Sequence, residues 1–161
     1  MLLLSLLLVA GQVTPVQPIV KGTGLPPATM TEEAGVMAPI EAMFAALAAR
    51  DGQALLAQVR TAGSATAVEE KADGTRSIRR TGWSEFAAGL KPGPERYAER
   101  LTDPAVDSAG DLARVWSPYV FTVDGRIAHC GTDHFDLVRE AGRWKILNIT
   151  WSKRTVGCPA Q

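Results

Sequence analysis

Several features that point to common function classes are scarce in this chain of 161 residues. Lys+Arg and Asp+Glu number 17 each, with no basic stripe, which argues against a nucleic-acid partner. The two histidines, His129 and His134, fall on opposite faces of one predicted strand, whereas zinc needs three or four convergent ligands. We therefore expect no metal, and nothing indicates another cofactor.

No apolar run reaches the ~20 residues of a bilayer-spanning helix, so no stable membrane anchor is expected. A hydrophobic content of 46% still supplies the core of one domain.

The chain begins with a short apolar run. Residues 1–9 are apolar except for Ser5, and small residues follow at Ala10 and Gly11, so residues 1–11 are predicted to be a signal peptide for export to the periplasm or beyond. No Lys or Arg precedes the run, which leaves an uncleaved anchor or a buried N-terminal segment as alternatives. Residues 12–33 are rich in proline and glycine and are predicted to be a flexible linker before one domain at 34–158.

Apolar spacing in the first half predicts helices and one hairpin. A helix is expected with Pro39 in its first turn, and a second short helix after Asp51. Asp73-Gly74 separates strand-like stretches at 65–70 and 77–80, and a third helix begins near Trp83. Residues 97–106 are then predicted to form the first long strand.

The last third predicts three long strands joined by two tight turns. Leu112–Val123 and Arg126–Glu140 flank Asp124-Gly125, a strong type I′ hairpin signal because both central residues need positive φ. Ala141-Gly142 is a weaker version and leads to a strand at 143–152. Helices followed by a run of strands predict an α+β domain, in which N-terminal helices pack on a strongly curved antiparallel sheet and enclose a pocket.

A set of motifs in this region resembles one known family. The set comprises Trp116-Ser-Pro-Tyr119-x-Phe121, Asp124-Gly125, His129-Cys130-Gly131, Gly142-Arg-Trp144-Lys-Ile146 and Gly157-Cys158. It is similar to the lumazine-binding-like, or SnoaL-like, branch of the nuclear transport factor 2-like (NTF2-like) superfamily over residues 34–158. The resemblance implies the cone-shaped, cystatin-like α+β fold with an internal pocket. It implies no single activity, because members include isomerases, dehydratases, epoxide hydrolases and non-catalytic binders.

The two turns also predict a strand register. It sets Trp116 opposite Asp133, and Asp133 opposite Thr150. One face would then carry Arg114, Trp116, His129, Asp133, Phe135, Asn148 and Thr150. The other would carry Tyr119, Phe121, Cys130, His134, Asp136, Ile149 and Trp151. Pro118 lacks an N–H and is expected to mark a bulge, which would exchange the two sets, so the identity of the concave face stays open.

Asp133 is the candidate catalytic residue. An adjacent aromatic wall would raise its pKa and suit it as a general base, the role that a pocket aspartate has in isomerases of the similar family. Ligand hydrogen bonding and a structural role beside Thr150 or Arg114 are the alternatives. The predicted ligand pocket comprises Trp116, Tyr119, His129, Asn148, Thr150 and Arg114, although aromatic residues of this kind also form ordinary core.

Cys130 and Cys158 are the two cysteines of the chain. In an exported protein two cysteines most often pair. Cys130 is expected opposite Lys153, and Gly157 would let the tail fold back, so we predict a disulfide, with free buried thiols as the alternative.

Three functions fit these features. The leading hypothesis is that the domain binds a small, partly apolar molecule in the cone pocket. The alternatives are a cofactor-independent isomerase, dehydratase or hydrolase that uses Asp133, and an interaction module in which one sheet face forms a homodimer. A small-molecule ligand and a second copy of the chain are therefore the expected partners.

Overall fold

The computed structural model describes residues 29–159, so the predicted signal peptide and most of the predicted linker lie outside the described residues. The helices in this range are α1 (Met30–Ala49), α2 (Gly52–Leu56) and α3 (Trp83–Ala88). The strands are β1 (Val59–Glu70), β2 (Arg76–Gly82), β3 (Tyr97–Leu101), β4 (Ala105–Ala109), β5 (Leu112–Val123), β6 (Arg126–Glu140) and β7 (Arg143–Arg154). This order matches the predicted series of helices, hairpin, helix and strands.

The seven strands form one sheet in the order β2-β1-β7-β6-β5-β3. Strand β4 lies off this order and pairs with residues 112–116 of β5. All pairings are antiparallel except that of β1 with β7, which is parallel and sets Ser64 beside Asn148. The helices cover the concave face, where Ile40 and Met43 of α1 share one core with Phe135 of β6. The predicted α+β domain with helices packed on a curved, mainly antiparallel sheet is confirmed.

Helix α1 begins at Met30, so the prediction that Pro39 lies in its first turn is wrong. Thr29 caps the helix, and its Oγ1 accepts a hydrogen bond of 3.3 Å from the Glu32 backbone N–H. This cap satisfies one of the donors that every helix start leaves free. Pro39 lies inside the helix with its ring buried, and residues 30–33 belong to the helix instead of the predicted linker.

The strand predicted at 97–106 is interrupted between β3 and β4. The backbone N–H groups of Thr102 and Asp103 donate to Pro118 O at 3.0 Å and to Ser117 Oγ at 3.3 Å. Pro104 has no N–H to continue a ladder. As a result, β3 pairs with residues 119–123 of β5, and β4 pairs with residues 112–116.

Both turns of the predicted meander are confirmed. Asp124 and Ala141 have φ of 52° and 48°, and the glycine after each has φ of 78° and 76°. Two consecutive positive φ angles define the type I′ turn that matches the twist of the flanking strands. The predicted bounds of β5 and β6 are those of the structure.

Two β-bulges make the predicted register wrong beyond the first few residues of each hairpin. Near the turns the register is as predicted, but Ala128 of β6 and Leu147 of β7 are extra residues that shift the pairing by one. Asp133 therefore lies opposite Ser117 and Trp151. Pro118 does not mark a bulge, because it pairs in register with Thr132.

The bulges exchange part of the two predicted face sets. The concave face carries Tyr119, Phe121, His129, Asp133, Phe135, Ile149 and Trp151. The outer face carries Arg114, Trp116, Cys130, His134, Asp136, Asn148 and Thr150. The concave face thus combines apolar side chains with one carboxyl group and one imidazole, a composition that suits a binding site.

Candidate functional site

A cavity of about 240 Å³ lies between the helices and the concave face of the sheet. Its aromatic lining consists of Trp83, Phe86, Tyr97, Phe121 and Trp151. Its aliphatic lining consists of Met43, Leu47, Leu90 and Ile149. Its polar lining consists of Glu99, His129 and Lys153. A mainly apolar wall with a few polar groups is the usual composition of a small-molecule site.

The aromatic wall is anchored on the bulge in β7. Trp83 Nε1 donates a hydrogen bond of 2.9 Å to the carbonyl oxygen of Leu147, the extra residue. Trp83 packs edge to face on Phe86, and Phe86 on Trp151, with ring centroids 5.9 Å and 6.3 Å apart. The bulge thus turns Trp151 to the concave face and also holds the ring that begins α3.

Of the six predicted pocket residues only His129 lines the cavity, and four lie on the outer face, so that part of the prediction is wrong. Trp116 is 58% exposed on the outer face beside His134. Arg114 pairs with Asp107 there at 2.7 Å. Asn148 accepts a hydrogen bond from the Ser64 backbone N–H, and Thr150 is exposed. The predicted register placed them with Asp133, and the two bulges separate them from it. Tyr119 and His129 do lie on the concave side.

Asp133 is fully buried, and neither of its carboxyl oxygens receives a hydrogen bond from a backbone or side-chain donor among the described residues. The group that faces it is the Glu99 carboxyl on β3. Two carboxyl groups form a hydrogen bond only when one of them is protonated, because an ionised carboxylate is an acceptor alone. The raised pKa of Asp133 favours a proton on this pair at pH 7.

Burial raises the pKa values of both carboxyl groups. The pKa of Asp133 rises to about 9 through burial first, and then through the negative charge of Glu99 and the hydrogen bond with it. Burial raises the pKa of Glu99 to about 7, and the hydrogen bond with Asp133 limits this rise. Glu99 lines the cavity and Asp133 does not, so Glu99 is the member of the pair that a bound molecule would contact.

Tyr119 contacts His129 and interacts with the charge of the carboxyl pair. Its hydroxyl donates to Ser152 O at 3.1 Å and lies 3.0 Å from His129 Nδ1. Burial raises the pKa of Tyr119 above its ordinary value, and the negative charges of Asp133 and Glu99 add to this effect. Burial, together with the positive charge of Lys153, lowers the pKa of His129 to about 4. The imidazole is therefore neutral at pH 7, and it stacks on Phe121 with ring centroids 4.6 Å apart.

The positive charges near the cavity already have partners. Lys153 pairs with Glu69 at 3.1 Å. Arg50 covers the Tyr97 ring at 4.0 Å and pairs with Glu95 at 2.7 Å. No cation is therefore held against Glu99 among the described residues.

Glu99 is a candidate functional residue that was not predicted from the sequence. It lies between Tyr97 and Leu101, both half-buried, while Ala98 and Arg100 point outward. An acidic residue that alternates in phase with apolar neighbours on a strand is directed to their buried face. This alternation was the signal available in the sequence.

Cys130 and Cys158 form a disulfide, with Cα atoms 5.7 Å apart. Cys130 is buried on the outer face of β6, directly after His129, and pairs in register with Arg154 instead of the expected Lys153. Gly157 has φ of 67°, which lets the chain turn back after β7. The disulfide therefore ties the C-terminal segment to the strand that carries His129 and Asp133.

Residues 29–159 lack two further features. No group of three or more His, Cys, Asp or Glu side chains in this range is arranged to hold a metal ion. Within the same range, every helix is too short or too polar to cross a membrane.

Comparison with known proteins identifies the fold. No protein-family model and no curated protein sequence matches the chain. It is similar to an NTF2-like protein of unknown function from Shewanella baltica, with 13% identity and a TM-score of 0.58 over 83% of this chain and 99% of that one. It is also similar to a Nostoc punctiforme protein of unknown function with a cystatin-like fold, with 14% identity and a TM-score of 0.59 over 80% and 95% of the two chains.

A third similar structure is a candidate scytalone dehydratase from Novosphingobium aromaticivorans, with 12% identity and a TM-score of 0.62 over 81% of this chain and 96% of that one. Identities this low establish the fold alone. The domain therefore has the cystatin-like cone fold of these structures, with a cavity, as the resemblance of its motifs implied. Its place in the lumazine-binding-like branch stays a prediction.

Proposed function

We propose that this domain binds a small, mainly apolar molecule in the cavity, with Glu99 as the group that recognises the molecule's polar end. The observation that carries the proposal is the combination of an aromatic wall with one ligand-facing carboxyl group. A volume of about 240 Å³ lies just below the range of roughly 300–1,000 Å³ that is usual for ligand pockets, which suits a small molecule.

Native mass spectrometry with a denatured control tests this proposal. Protein purified from an oxidising compartment should carry extra mass that is lost on denaturation. Leu90→Trp places a large ring at the cavity wall and should abolish the extra mass. Leu112→Trp, at a position 57% exposed, is the matched control and should keep it. Bare wild-type protein that no compound of a broad metabolite screen stabilises against heat would contradict the proposal.

A second candidate function, a cofactor-independent acid–base enzyme, is favoured by the raised pKa of Glu99. A carboxyl group with a pKa near the working pH is suited to give or take a proton. Glu99 would be the group that contacts substrate. Asp133 would be a positioning residue that sets the pKa of Glu99, which differs from the sequence-based hypothesis that Asp133 is the base.

Two variants test the enzyme candidate. Glu99→Gln should abolish turnover. Asp133→Leu should retain turnover and move the pH profile to higher pH, because Glu99 would lose the interaction with Asp133 that limits the rise of its pKa. A pH profile unchanged by Asp133→Leu would contradict the role of the pair.

Export is a further part of the proposal. The disulfide supports it, because disulfides persist in oxidising compartments. Expression with residues 1–28 intact, followed by mass analysis of the exported protein, should show a new N-terminus near Gln12. The homodimer stays a prediction, to be checked by light scattering at micromolar concentration.

A further inference from the structure

The charge balance around the cavity is incomplete. Glu99 and Asp133 are both acidic, and no cation pairs with either of them among the described residues. The other charged or titratable groups nearby come from β5, β6 and β7, and are Tyr119, His129, Lys153 and Arg154. Lys153 pairs with Glu69, and Arg154 is exposed. The helices contribute only apolar side chains to the lining.

The aromatic wall favours positive charge as well. The face of an aromatic ring carries partial negative charge, so a cation near it is attracted, and the attraction grows when water is excluded. Tyr97 already accepts such a contact from the Arg50 guanidinium. Rings from α3, β3, β5 and β7 surround the space that Glu99 faces.

We propose that the cavity selects a small organic monocation, an amine with an apolar body, whose ammonium group binds at Glu99. This inference rests on the proposed small-molecule binding and adds the chemical class of the ligand. The ammonium group supplies the donors that the carboxyl pair lacks, and any proton that the pair holds before binding leaves to the buffer. The hydrophobic body fills the space between Trp83, Phe86 and Trp151.

Calorimetric titration with three ligands that share one ring tests the inference on protein shown to be ligand-free by native mass spectrometry. The probes are benzylamine, benzyl alcohol and benzoate, which are cationic, neutral and anionic at pH 7.5. Benzylamine should bind at least tenfold more tightly than benzyl alcohol, and benzoate should bind least. Repeating the benzylamine titration in two buffers of different ionisation enthalpy should show release of up to one proton per molecule bound.

Three variants assign the effect to the carboxyl pair. Glu99→Gln should bind benzylamine and benzyl alcohol with similar affinity. Asp133→Asn should keep the preference for benzylamine but release less proton, because the asparagine amide can donate to an ionised Glu99. Glu41→Gln, an exposed change of the same kind on α1, is the matched control and should behave as wild type.

The results separate this inference from the function on which it rests. Benzyl alcohol binding as tightly as benzylamine would overturn the selection of a cation and leave small-molecule binding supported. Benzylamine binding that survives Glu99→Gln unchanged would also overturn it. Absence of binding by all three probes would overturn the inference. The native mass spectrum of the purified protein would then test small-molecule binding separately.

Discussion

Tyr119 and His129 share a hydrogen bond of 3.0 Å in which the imidazole is the donor. The single hydroxyl proton of Tyr119 is directed to Ser152 O, which can only accept. His129 Nδ1 must therefore carry a hydrogen, and in the neutral ring Nε2 is then an unprotonated acceptor. His129 lines the same cavity as Glu99, so its ring adds an acceptor to the polar lining.

Nitrogen NMR of the imidazole side chains should show this tautomer directly. We expect His129 to remain neutral from pH 7 down to about pH 4, with Nε2 in the acceptor state, because burial lowers its pKa. Tyr119→Phe should alter the Nδ1 signal of His129 and leave the signals of His134 on the outer face unchanged. A protonated His129 at pH 6 would contradict the assignment.

The carboxyl pair should make folding stability fall as pH rises. The pKa values of both groups are raised in the folded state, so their contribution is fully present below the unfolded values of about 4, and is lost progressively as pH rises from there through the folded values of about 7 and about 9. Each proton difference contributes about 1.4 kcal/mol per pH unit to the free energy of unfolding. Chemical denaturation between pH 6 and pH 9 measures the slope.

Asp133→Asn tests the origin of that slope. The amide cannot ionise, and it can donate to Glu99, so the variant should lose much of the pH dependence and be more stable than wild type at pH 9. Asp107→Asn, in a pair exposed on the outer face, is the control and should keep the wild-type slope. A slope that survives Asp133→Asn would place its origin elsewhere.

Removal of the disulfide should lower the free energy of unfolding by about 3–4 kcal/mol, as the chain-entropy relation gives for a separation of 28 residues. The double variant Cys130→Ala/Cys158→Ala avoids a free thiol. Urea denaturation of this variant and of reduced wild-type protein should give similar losses. A loss below 1 kcal/mol in both would show that other contacts hold the C-terminal segment.

Gly131→Ala should destabilise the fold by about 1–3 kcal/mol, because an added methyl group would overlap the Ser152 carbonyl oxygen. The displaced carbonyl would also lose its hydrogen bond from Tyr119. Gly82→Ala is the control, since nothing lies within 4 Å of its added methyl group. Thermal unfolding should separate the two variants, and equal melting temperatures would contradict the close approach of β6 and β7.

The strands and turns were accessible from local sequence because their signals are local. Asp124-Gly125 and Ala141-Gly142 both adopt the expected backbone angles, and β6, the strand between them, has the expected bounds. The register could not be predicted, because alanine and leucine, the residue types at positions 128 and 147, are not typical of a bulge. The bulge at Leu147 depends on a hydrogen bond to Trp83, 64 residues away in sequence.

The predicted pocket residues were wrong for the same reason, namely that the two bulges could not be predicted. One extra residue in each hairpin moved Trp116 and Thr150 to the outer face and left Asp133 inside. Asp133 was identified from its position in mid-strand, but its partner Glu99 belongs to a strand that pairs only with β5. The two carboxyl groups come together because β3 and β6 both pair with β5. The sequence separation of Glu99 and Asp133 does not predict this proximity.

The parallel contact of β1 with β7 has a consequence for how the chain folds. Ser64 and Asn148 are 84 residues apart, whereas each hairpin of the β5–β7 meander closes through a two-residue turn. Distant contacts form slowly because their loop must close before any contact is gained. The meander should therefore form first, and β1 should add last, bringing α3 and Trp83 with it. A molecule that binds the cavity would then slow unfolding and leave the folding rate unchanged, because its binding site exists only after the rate-limiting step.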